Sequence, residues 1–188
     1  MNRSKDKNED KKMIQVNNVR EESGEHVPKV SVIIPFHNAQ SHLEEMMDSV
    51  EAQTFREIEI LCVDDGSTDH SNELLYIYKN RDPRIQVLEK PNGGLSDARN
   101  YGMKFATAPY IMFVDSDDFL EPQALEKAAA KLDETGADLV IFDVYQYFMK
   151  TQTKEVIANR YSGDRVYTLK ENPEMEAEGR YTKLNVEK

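Results

Sequence analysis

The sequence predicts an α/β fold with a mainly parallel sheet and helices on both of its faces. Short apolar runs rich in β-branched residues alternate along the chain with segments whose apolar residues recur at helical spacing. The polar stretches "PFHN", "DDGSTD" and "DSDD" stand at the ends of three of these runs. Ligands bind outside the carboxyl ends of parallel strands, so we expect these stretches to share one functional rim.

The first strand and helix follow a polar leader. The run "KVSVIIPFHN" predicts a buried strand over residues 30–34, which ends at Pro35. In "SHLEEMMDSVEA" the apolar residues recur at i, i+3, i+4 and i+7. These residues are Leu43, Met46, Met47 and Val50. The segment therefore predicts an amphipathic helix, for which Asn38 or Ser41 can supply the cap.

The second strand, "IEILCV" over residues 58–63, precedes the turn-forming segment "DDGSTD". Asp69 or Ser71 then opens a helix with three large apolar or aromatic residues. They are Leu74, Leu75 and Tyr78. The run "RIQVLEK", residues 84–90, predicts the third strand. Cys62, the single cysteine, lies inside an apolar run and is expected to be a small core residue.

Two further helices and strands complete the pattern. After "PNGG" comes a helix with one packed side, and then a strand over residues 110–114. The packed residues are Ala98, Tyr101, Gly102 and Phe105. Pro122 is expected as the first residue of the next helix, which Gly136 ends. The shared face of that helix consists of Leu125, Ala128, Ala129 and Leu132. Residues 137–148, "ADLVIFDVYQYF", predict a last strand.

Charge and composition separate three regions of the chain. Residues 1–27 are polar, carry six basic and six acidic side chains, and predict a disordered leader. Residues 28–150 carry the whole net charge of −11 and predict the ordered domain. Residues 151–188 predict a weaker segment with a turn around Ser162 and Gly163. An acidic domain disfavours nucleic acid as a partner, because binding phosphates requires a basic surface.

The chain has no run close to the roughly 18 apolar residues that a membrane helix needs. The N-terminus also has no apolar region of the secretory type. We therefore expect a cytoplasmic protein, with peripheral association at the inner face of the membrane left open.

Two acidic segments carry most of the chemistry, and each has a structural alternative. Residues two apart at a strand end point to the same side, so Asp115 and Asp117 can present their carboxylates together to a hard divalent cation. Alternatively, Asp118 caps the next helix and the other two are solvated. Asp64 and Asp65 can fix a turn, or one of them can accept a hydrogen bond from the imide N–H of a uracil ring.

The segment "PNGGLSDARN" favours a phosphate contact. Two glycines let the backbone approach a ligand, a helix N-terminus supplies N–H groups, and Arg99 adds charge. The sequence lacks both G-x-G-x-x-G and G-x-x-x-x-G-K-[ST], which disfavours a dehydrogenase or an ATPase. His37 stands at a strand end, where a loop residue is the more common role than a catalytic base.

Taken in order, "VSVIIPFHN", "SVEAQTF", "EILCVDDGSTD" and "PNGGLSDARNYGMKFATAPYIMFVDSDDFLEP" resemble the N-terminal half of the family 2 glycosyltransferases. The resemblance spans about residues 29–145. It implies the GT-A fold with a Rossmann-like sheet, and inverting transfer of a sugar from a nucleotide-sugar, UDP-sugar above all. It implies a saccharide or lipid-linked saccharide as acceptor, in bacterial polysaccharide or cell-envelope glycan synthesis.

The resemblance also assigns roles to individual residues. The nucleobase side would be lined by Pro35, His37, Asp64 and Asp65, and Asn38 would also bind the nucleotide or donor. Contacts with ribose, phosphate or sugar would come from Asn92, Gly93, Gly94, Ser96 and Arg99. The DxD motif is Asp115, Ser116 and Asp117. Asp117 would be the main ligand of Mn²⁺ or Mg²⁺, and Asp115 would assist the metal or bond the donor.

The chain departs from the family pattern after the DxD motif. The inverting base normally lies well downstream, and among the acids Asp143, Glu155 and Asp164 none can be selected. We expect the chain to be incomplete, with residues 151–188 as part of the acceptor side or a tail. The alternative is a nucleotide-sugar-binding module or inactive fragment. A sugar nucleotidyltransferase would need a basic, glycine-rich loop, which "VIIPFHNAQ" does not supply.

Overall fold

The computed structural model describes residues 27–141, 144–148, 151 and 153–157. The chain forms two compact units, residues 1–126 and residues 127–188. The predicted leader lies outside the described residues except for Val27, and so does the predicted turn around Ser162 and Gly163. The predicted domain limits at residues 27 and 150 stay predictions.

A parallel sheet forms the centre of the first unit. Its strands are β1 (Val30–Phe36), β2 (Ile58–Asp65), β3 (Ile85–Lys90) and β4 (Tyr110–Phe113). They lie in the order β3-β2-β1-β4, and all three neighbouring pairs are parallel. Every residue of β1 and β2 is buried, as is typical of parallel strands that are covered on both faces. The predicted parallel α/β sheet is confirmed.

Four helices accompany the strands within the described residues. They are α1 (Leu43–Glu51), α2 (Ser71–Arg81), α3 (Leu95–Met103) and α4 (Ala124–Thr135). In α1 the buried residues are the four that the sequence pattern selected, so the predicted amphipathic helix is confirmed. Gly136 follows α4, and its N–H donates to the carbonyl oxygen of Leu132 at 2.8 Å, as expected of a helix stop.

The two faces of the sheet are covered by different helices. On one face, Gly102 of α3 packs so closely that a Cβ there would lie 2.6 Å from Ile33 Cγ2 and 3.0 Å from Val63 Cγ2. Side chains alternate along a strand, so Cys62 faces the other side, where its Sγ lies 3.8 Å from Sδ of Met47 on α1. Helices therefore flank both faces. Cys62 is a core residue as predicted, and burial raises the pKa of its thiol to about 12.

At the amino-terminal edge of the sheet, the buried carboxylate of Glu59 ties three segments together. Its Oε1 accepts hydrogen bonds from Ser31 Oγ at 2.5 Å, Thr107 N at 2.6 Å and Ala108 N at 3.2 Å. Glu59 is 7% exposed. These bonds connect β1, β2 and the segment that leads into β4 at the amino-terminal end of the strands, opposite the predicted rim.

Two predicted helix features differ from the structure. Neither Asn38 nor Ser41 caps α1, because the residue before the helix is His42 and it makes no side-chain cap. The Asn38 side chain is occupied by the loop after β2. α4 begins at Ala124, two residues after Pro122, whose carbonyl oxygen accepts a hydrogen bond from Thr54 N at 2.9 Å.

Two further differences concern apolar residues. Phe105 lies beyond the end of α3 and is 40% exposed, with its ring centroid 5.2 Å from that of Tyr101. The last predicted strand does not join the parallel sheet. Instead β5 (Val144–Phe148) pairs with β6 (Thr153–Ile157) in a separate antiparallel sheet. Apolar content alone predicted a strand here, but it did not specify the strand's partner.

In the part of the chain that the structure describes, no helix is both long and apolar enough to span a membrane.

Candidate functional site

The carboxyl ends of the four parallel strands meet at one rim, as the sequence analysis expected. From β1 the chain adds β2 and then β3 on one side of β1, and it then adds β4 on the other side of β1. The junction between β1 and β4 is therefore the switch point at which an open α/β sheet forms a crevice. The segments after β1, β2, β3 and β4 build this rim.

Asn38 joins the segment after β1 to the segment after β2. Its backbone has φ of 52°, a left-handed conformation that asparagine adopts more readily than most residues. Its Oδ1 accepts hydrogen bonds from Thr68 N at 2.8 Å and Asp69 N at 3.3 Å. Its N–H donates to Ser67 Oγ at 3.0 Å. Asn38 therefore has a structural role in shaping the rim, whether or not it also contacts a ligand.

His37 lies between the ends of three strands. Its Nδ1 is 2.9 Å from the carbonyl oxygen of Asp65, so this nitrogen carries the hydrogen. In the neutral tautomer Nε2 accepts from Asn38 Nδ2 at 3.2 Å. The side-chain nitrogen of Asn92 also lies 3.2 Å from Nδ1. The structure thus brings together His37, Asp65 and Asn92, three residues predicted for the nucleotide.

Asp64 fixes the turn that follows β2. Its carboxylate is buried, and Oδ1 accepts from Ser67 N at 2.8 Å while Oδ2 accepts from Asn72 Nδ2 at 2.6 Å. This arrangement confirms the structural alternative for Asp64. A contact between this carboxylate and a uracil ring stays a prediction.

Asp65 holds the segment after β3. Its Oδ1 accepts from Lys90 Nζ at 2.5 Å and from Gly93 N at 2.8 Å, and its Oδ2 accepts from Gly94 N at 2.7 Å. Burial opposes ionisation of Asp65, but the bonds from Lys90 and the two glycine amides outweigh it and lower the pKa. The N–H groups of Gly93 and Gly94 are therefore bonded within the protein, and their contact with a phosphate stays a prediction.

Arg99 and Asp115 meet at the junction of β1 and β4. Arg99 Nη2 lies 2.5 Å from Asp115 Oδ1, and the guanidinium carbon lies 5.9 Å from the ring centroid of Phe113. Arg99 Nε is buried and has no hydrogen-bond partner in the described part of the chain. The guanidinium is therefore oriented by one carboxylate and one ring, with a donor left over.

The loop after β4 concentrates negative charge. Asp117 and Asp118 are exposed, and Asp118 N donates to the carbonyl oxygen of Asp115 at 3.1 Å in a turn. Burial, followed by the charges of Asp117 and Asp115, raises the pKa of Asp118. Asp118 lies six positions before α4 and so does not cap it. The carboxylates of Asp115, Asp117 and Asp118 therefore repel one another. Of the contacts described above, the one between Arg99 and Asp115 offsets this repulsion.

The donor set of this loop fits a hard divalent cation. Over residues 27–141 and the described positions beyond them, no group of three or more His, Cys, Asp or Glu side chains could hold a metal alone. A cation such as Mg²⁺ needs only one or two carboxylates when phosphate oxygens and water complete its shell. Asp115 and Asp117 supply two such carboxylates. They lie beside Asp118, whose pKa is raised by burial and by their charges.

The remaining predicted residues differ in their access to a ligand. Pro35 is buried inside β1, opposite Val63 in the register. Ser96 lies in the first turn of α3, and Ser116 lies between the two aspartates of the loop. Both serines stand at the rim. The sequence did not predict that Lys90, Asp97 and Asn72 make contacts at this rim. A single lysine, aspartate or asparagine carries no pattern from which its partners can be inferred.

A family model described as glycosyl transferase family 2 matches residues 31–183. The chain belongs to glycosyl transferase family 2. The predicted resemblance is therefore confirmed. A relative named uncharacterized glycosyltransferase EpsJ, from Bacillus subtilis (strain 168), is 36% identical over 149 residues. That alignment covers 79% of this chain and 42% of EpsJ.

Solved structures of glycosyltransferases show that the chain has the GT-A fold. Staphylococcus aureus TarS 1-349 in complex with UDP has a TM-score of 0.56 and 34% identity, and the match covers 58% of this chain and 33% of TarS 1-349. The complex of TarS 1-349 with UDP-GlcNAc has a TM-score of 0.56 and 36% identity, over 58% and 32%. The chain therefore spans less than half the length of these relatives.

A more distant structure shares the fold. The mannosyltransferase PcManGT of Pyrobaculum calidifontis, solved with GDP-Man and Mn²⁺, has a TM-score of 0.55 and 24% identity. The match covers 59% of this chain and 34% of that protein. The predicted GT-A architecture is thus confirmed at two levels of sequence similarity.

Proposed function

We propose that the chain binds a UDP-sugar at the carboxyl rim of its sheet, and that the whole protein transfers the sugar to an acceptor hydroxyl with inversion. The observation that carries this proposal is the Arg99–Asp115 pair beside exposed Asp117 at the junction of β1 and β4. A switch point with both a cation and carboxylates suits a ligand that joins a diphosphate to a sugar. The UDP and UDP-GlcNAc complexes of TarS support uracil as the base.

The nucleobase would lie beside His37 and Asn92. These two side chains come from different strand ends and already contact each other, and both are exposed. An imidazole offers a flat surface for a ring, and the amide of Asn92 offers a donor and an acceptor. Asp64 and Asp65 would support this part of the site by fixing the loops around it, because their carboxylates are buried and bonded within the protein.

Asp117 would be the main ligand of Mn²⁺ or Mg²⁺, and Asp115 would assist it or bond the donor. A bound divalent cation supplies positive charge that neutralises the nucleoside diphosphate as it leaves. Arg99 adds a second positive charge, whose fork-shaped guanidinium suits phosphate oxygens. The first turn of α3, which contains Ser96, adds the partial positive charge of a helix N-terminus.

The acceptor would be a saccharide or a lipid-linked saccharide at the inner face of the membrane, in bacterial polysaccharide or envelope glycan synthesis. TarS is named a poly(ribitol-phosphate) beta-N-acetylglucosaminyltransferase, which supports a glycan acceptor. A carboxylate base would take the proton of the acceptor hydroxyl as its oxygen attacks the anomeric carbon. Of the predicted acids, Glu155 lies in β6 and is exposed, while Asp143 and Asp164 lie outside the described residues. None of the three is assigned as the base.

Calorimetric titration with UDP, with and without Mn²⁺, tests the proposed site. We expect Mn²⁺ to tighten UDP binding in the parent chain, and Asp117→Ala to remove that gain. Glu57→Ala is the matched control, since it removes an exposed carboxylate just before β2, at the opposite edge of the sheet. Titration with GDP tests the base, and weaker binding than UDP is expected. Failure of UDP to bind under all of these conditions would contradict the proposed function.

A further inference from the structure

Lys90, the last residue of β3, has its charged group enclosed by oxygen atoms. Its Nζ lies 2.5 Å from Asp65 Oδ1, 2.6 Å from Asp97 Oδ2 and 2.6 Å from the carbonyl oxygen of Pro91. The Lys90 side chain is 9% exposed. An ammonium group has three hydrogens, and here three oxygens accept them. Lys90 is therefore not free to bind the phosphates of a ligand.

The three partners of Lys90 belong to separate parts of the rim. Asp65 ends β2, Pro91 begins the segment after β3, and Asp97 lies in the first turn of α3. Asp65 in turn accepts the N–H groups of Gly93 and Gly94. The ammonium and this carboxylate thus hold the segment Pro91–Gly94 at both of its ends, and they also hold the start of α3.

The segment passes directly over the ion pairs. A Cβ on Gly93 would lie 2.9 Å from Lys90 Nζ and would also collide with the Asp97 carboxylate. A larger residue at position 93 would therefore have to displace the charged ends of Lys90 and Asp97.

We propose that Lys90 is a positioning residue for the nucleotide, which acts by holding Asn92 beside His37 and the first turn of α3 at a fixed place. This inference rests on the proposed function, and it gives Lys90 a role without contact to the ligand. Asn92 lies 3.2 Å from His37 only while the segment keeps this course. If the segment is ordered for only a fraction of the time, the apparent affinity for the nucleotide falls to that fraction of its full value.

A purely structural role for Lys90 makes a different prediction. The Asp65 side chain is only 5% exposed, and removing the charged partner of a buried carboxylate is destabilising whatever the function of the site. If Lys90 served stability alone, its loss would lower the unfolding midpoint but leave the UDP affinity of the folded protein unchanged. Affinity measured well below the unfolding temperature therefore separates the two roles.

Lys90→Met tests the proposal, with UDP titration and thermal unfolding as the two measurements. We expect about tenfold weaker UDP binding in the folded variant, as follows if the segment is ordered for about a tenth of the time. Lys79→Met is the control for the loss of one positive charge, since Lys79 is an exposed lysine of α2. It should bind UDP as the parent does.

The double variant Lys90→Met/Asp97→Asn separates position from charge, because its net charge equals that of the parent. We expect its UDP binding to stay weak. Parent-like affinity in either Lys90 variant would overturn the proposal. If Lys90→Met does not fold, Asp97→Ala removes one partner of Lys90, a carboxylate that is 57% exposed, and weaker UDP binding is again expected. Unchanged affinity in Asp97→Ala would then overturn the proposal.

Hydrogen exchange of the Gly93 and Gly94 amides gives a readout that needs no ligand. Both amides should exchange faster in Lys90→Met than in the parent, while amides of β2 should not change. If the parent fails to bind UDP, the proposed function fails and this exchange experiment still decides whether Lys90 holds the segment. Equal exchange rates in parent and variant would overturn the proposal on their own.

Discussion

Arg99 of α3 and Asp115 of the loop after β4 bind each other at 2.5 Å, which joins a helix on one face of the sheet to the end of its edge strand. The pair is partly exposed, with 29% of the Arg99 side chain and 41% of the Asp115 side chain open to solvent. The guanidinium is thus both oriented by the protein and accessible to a diphosphate. It is the positive group that the proposed site offers from this chain.

Arg99→Met should weaken UDP binding by about tenfold or more, because charge-assisted bonds to phosphate contribute roughly 1.5–3 kcal/mol each. Uridine, which has no phosphate, should lose much less affinity. Lys104→Met, an exposed lysine just after the same helix, is the control and should change neither affinity. Calorimetry with both ligands gives the comparison. Equal losses for UDP and uridine would argue against a phosphate contact by Arg99.

Gly102→Ala should destabilise the protein by about 1–3 kcal/mol, because the added methyl group would stand 2.6 Å from Ile33 Cγ2 and overpack the core. The free energy of unfolding in urea measures the effect. Asn100→Ala, at an exposed position of the same helix, is the control and should be neutral or stabilising. A parent-like stability for Gly102→Ala would mean that α3 can move away from the sheet at little cost.

Glu59→Ala should lower the free energy of unfolding by about 2–3 kcal/mol, because the buried hydroxyl of Ser31 and the part-buried N–H groups of Thr107 and Ala108 lose their acceptor. UDP affinity should not change, since Glu59 lies at the amino-terminal edge of the sheet. Glu59→Gln, which keeps one oxygen acceptor, should cost less. Urea unfolding and UDP titration on the same samples provide both values, and a loss of affinity in folded Glu59→Ala would contradict the separation of the two edges.

Stability should fall at acidic pH through Asp65, whose pKa is lowered in the folded protein from its ordinary value of 3.8. The unfolded chain then takes up the proton first as pH falls, so this contribution is complete above about pH 5 and is lost through pH 3.8 and below. Thermal unfolding midpoints between pH 3 and pH 7 check the sign. Asp65→Asn should be less stable than the parent at pH 7 and should lose less between pH 5 and pH 3. Parallel curves for the two proteins would assign the acid sensitivity to other groups.

The sheet could be predicted from the sequence because its strands are buried on both faces. Such strands are continuous apolar runs, and the predicted limits of β1 and β2 fall within two residues of the observed ones. The end of the chain could not be predicted in the same way. The segment that includes Val144–Phe148 is apolar enough for a strand, but only its antiparallel pairing with Thr153–Ile157 decides which sheet it joins.

The rim could be predicted as a location but not as a set of bonds. Strand order and polar segments predicted one rim for His37, Asp65 and Asp115, and the family resemblance added Asn92. The structure places His37 against both Asp65 and Asn92. The role of Lys90 depends on oxygens that lie 25 positions before it and 7 positions after it. No periodic pattern relates such positions, so only the folded backbone reveals them.

The position of β4 in the sheet also bears on how the domain assembles. Val30 of β1 pairs with Tyr110, 80 positions later in the chain, and this pairing brings Asp115 to Arg99. Closing so long a stretch of chain costs entropy before any contact rewards it, so pairs of this kind form late and slowly. β1, β2 and β3 are closer together in the chain and can associate first. The crevice is therefore complete only when β4 has paired with β1, because the Arg99–Asp115 pair depends on that pairing.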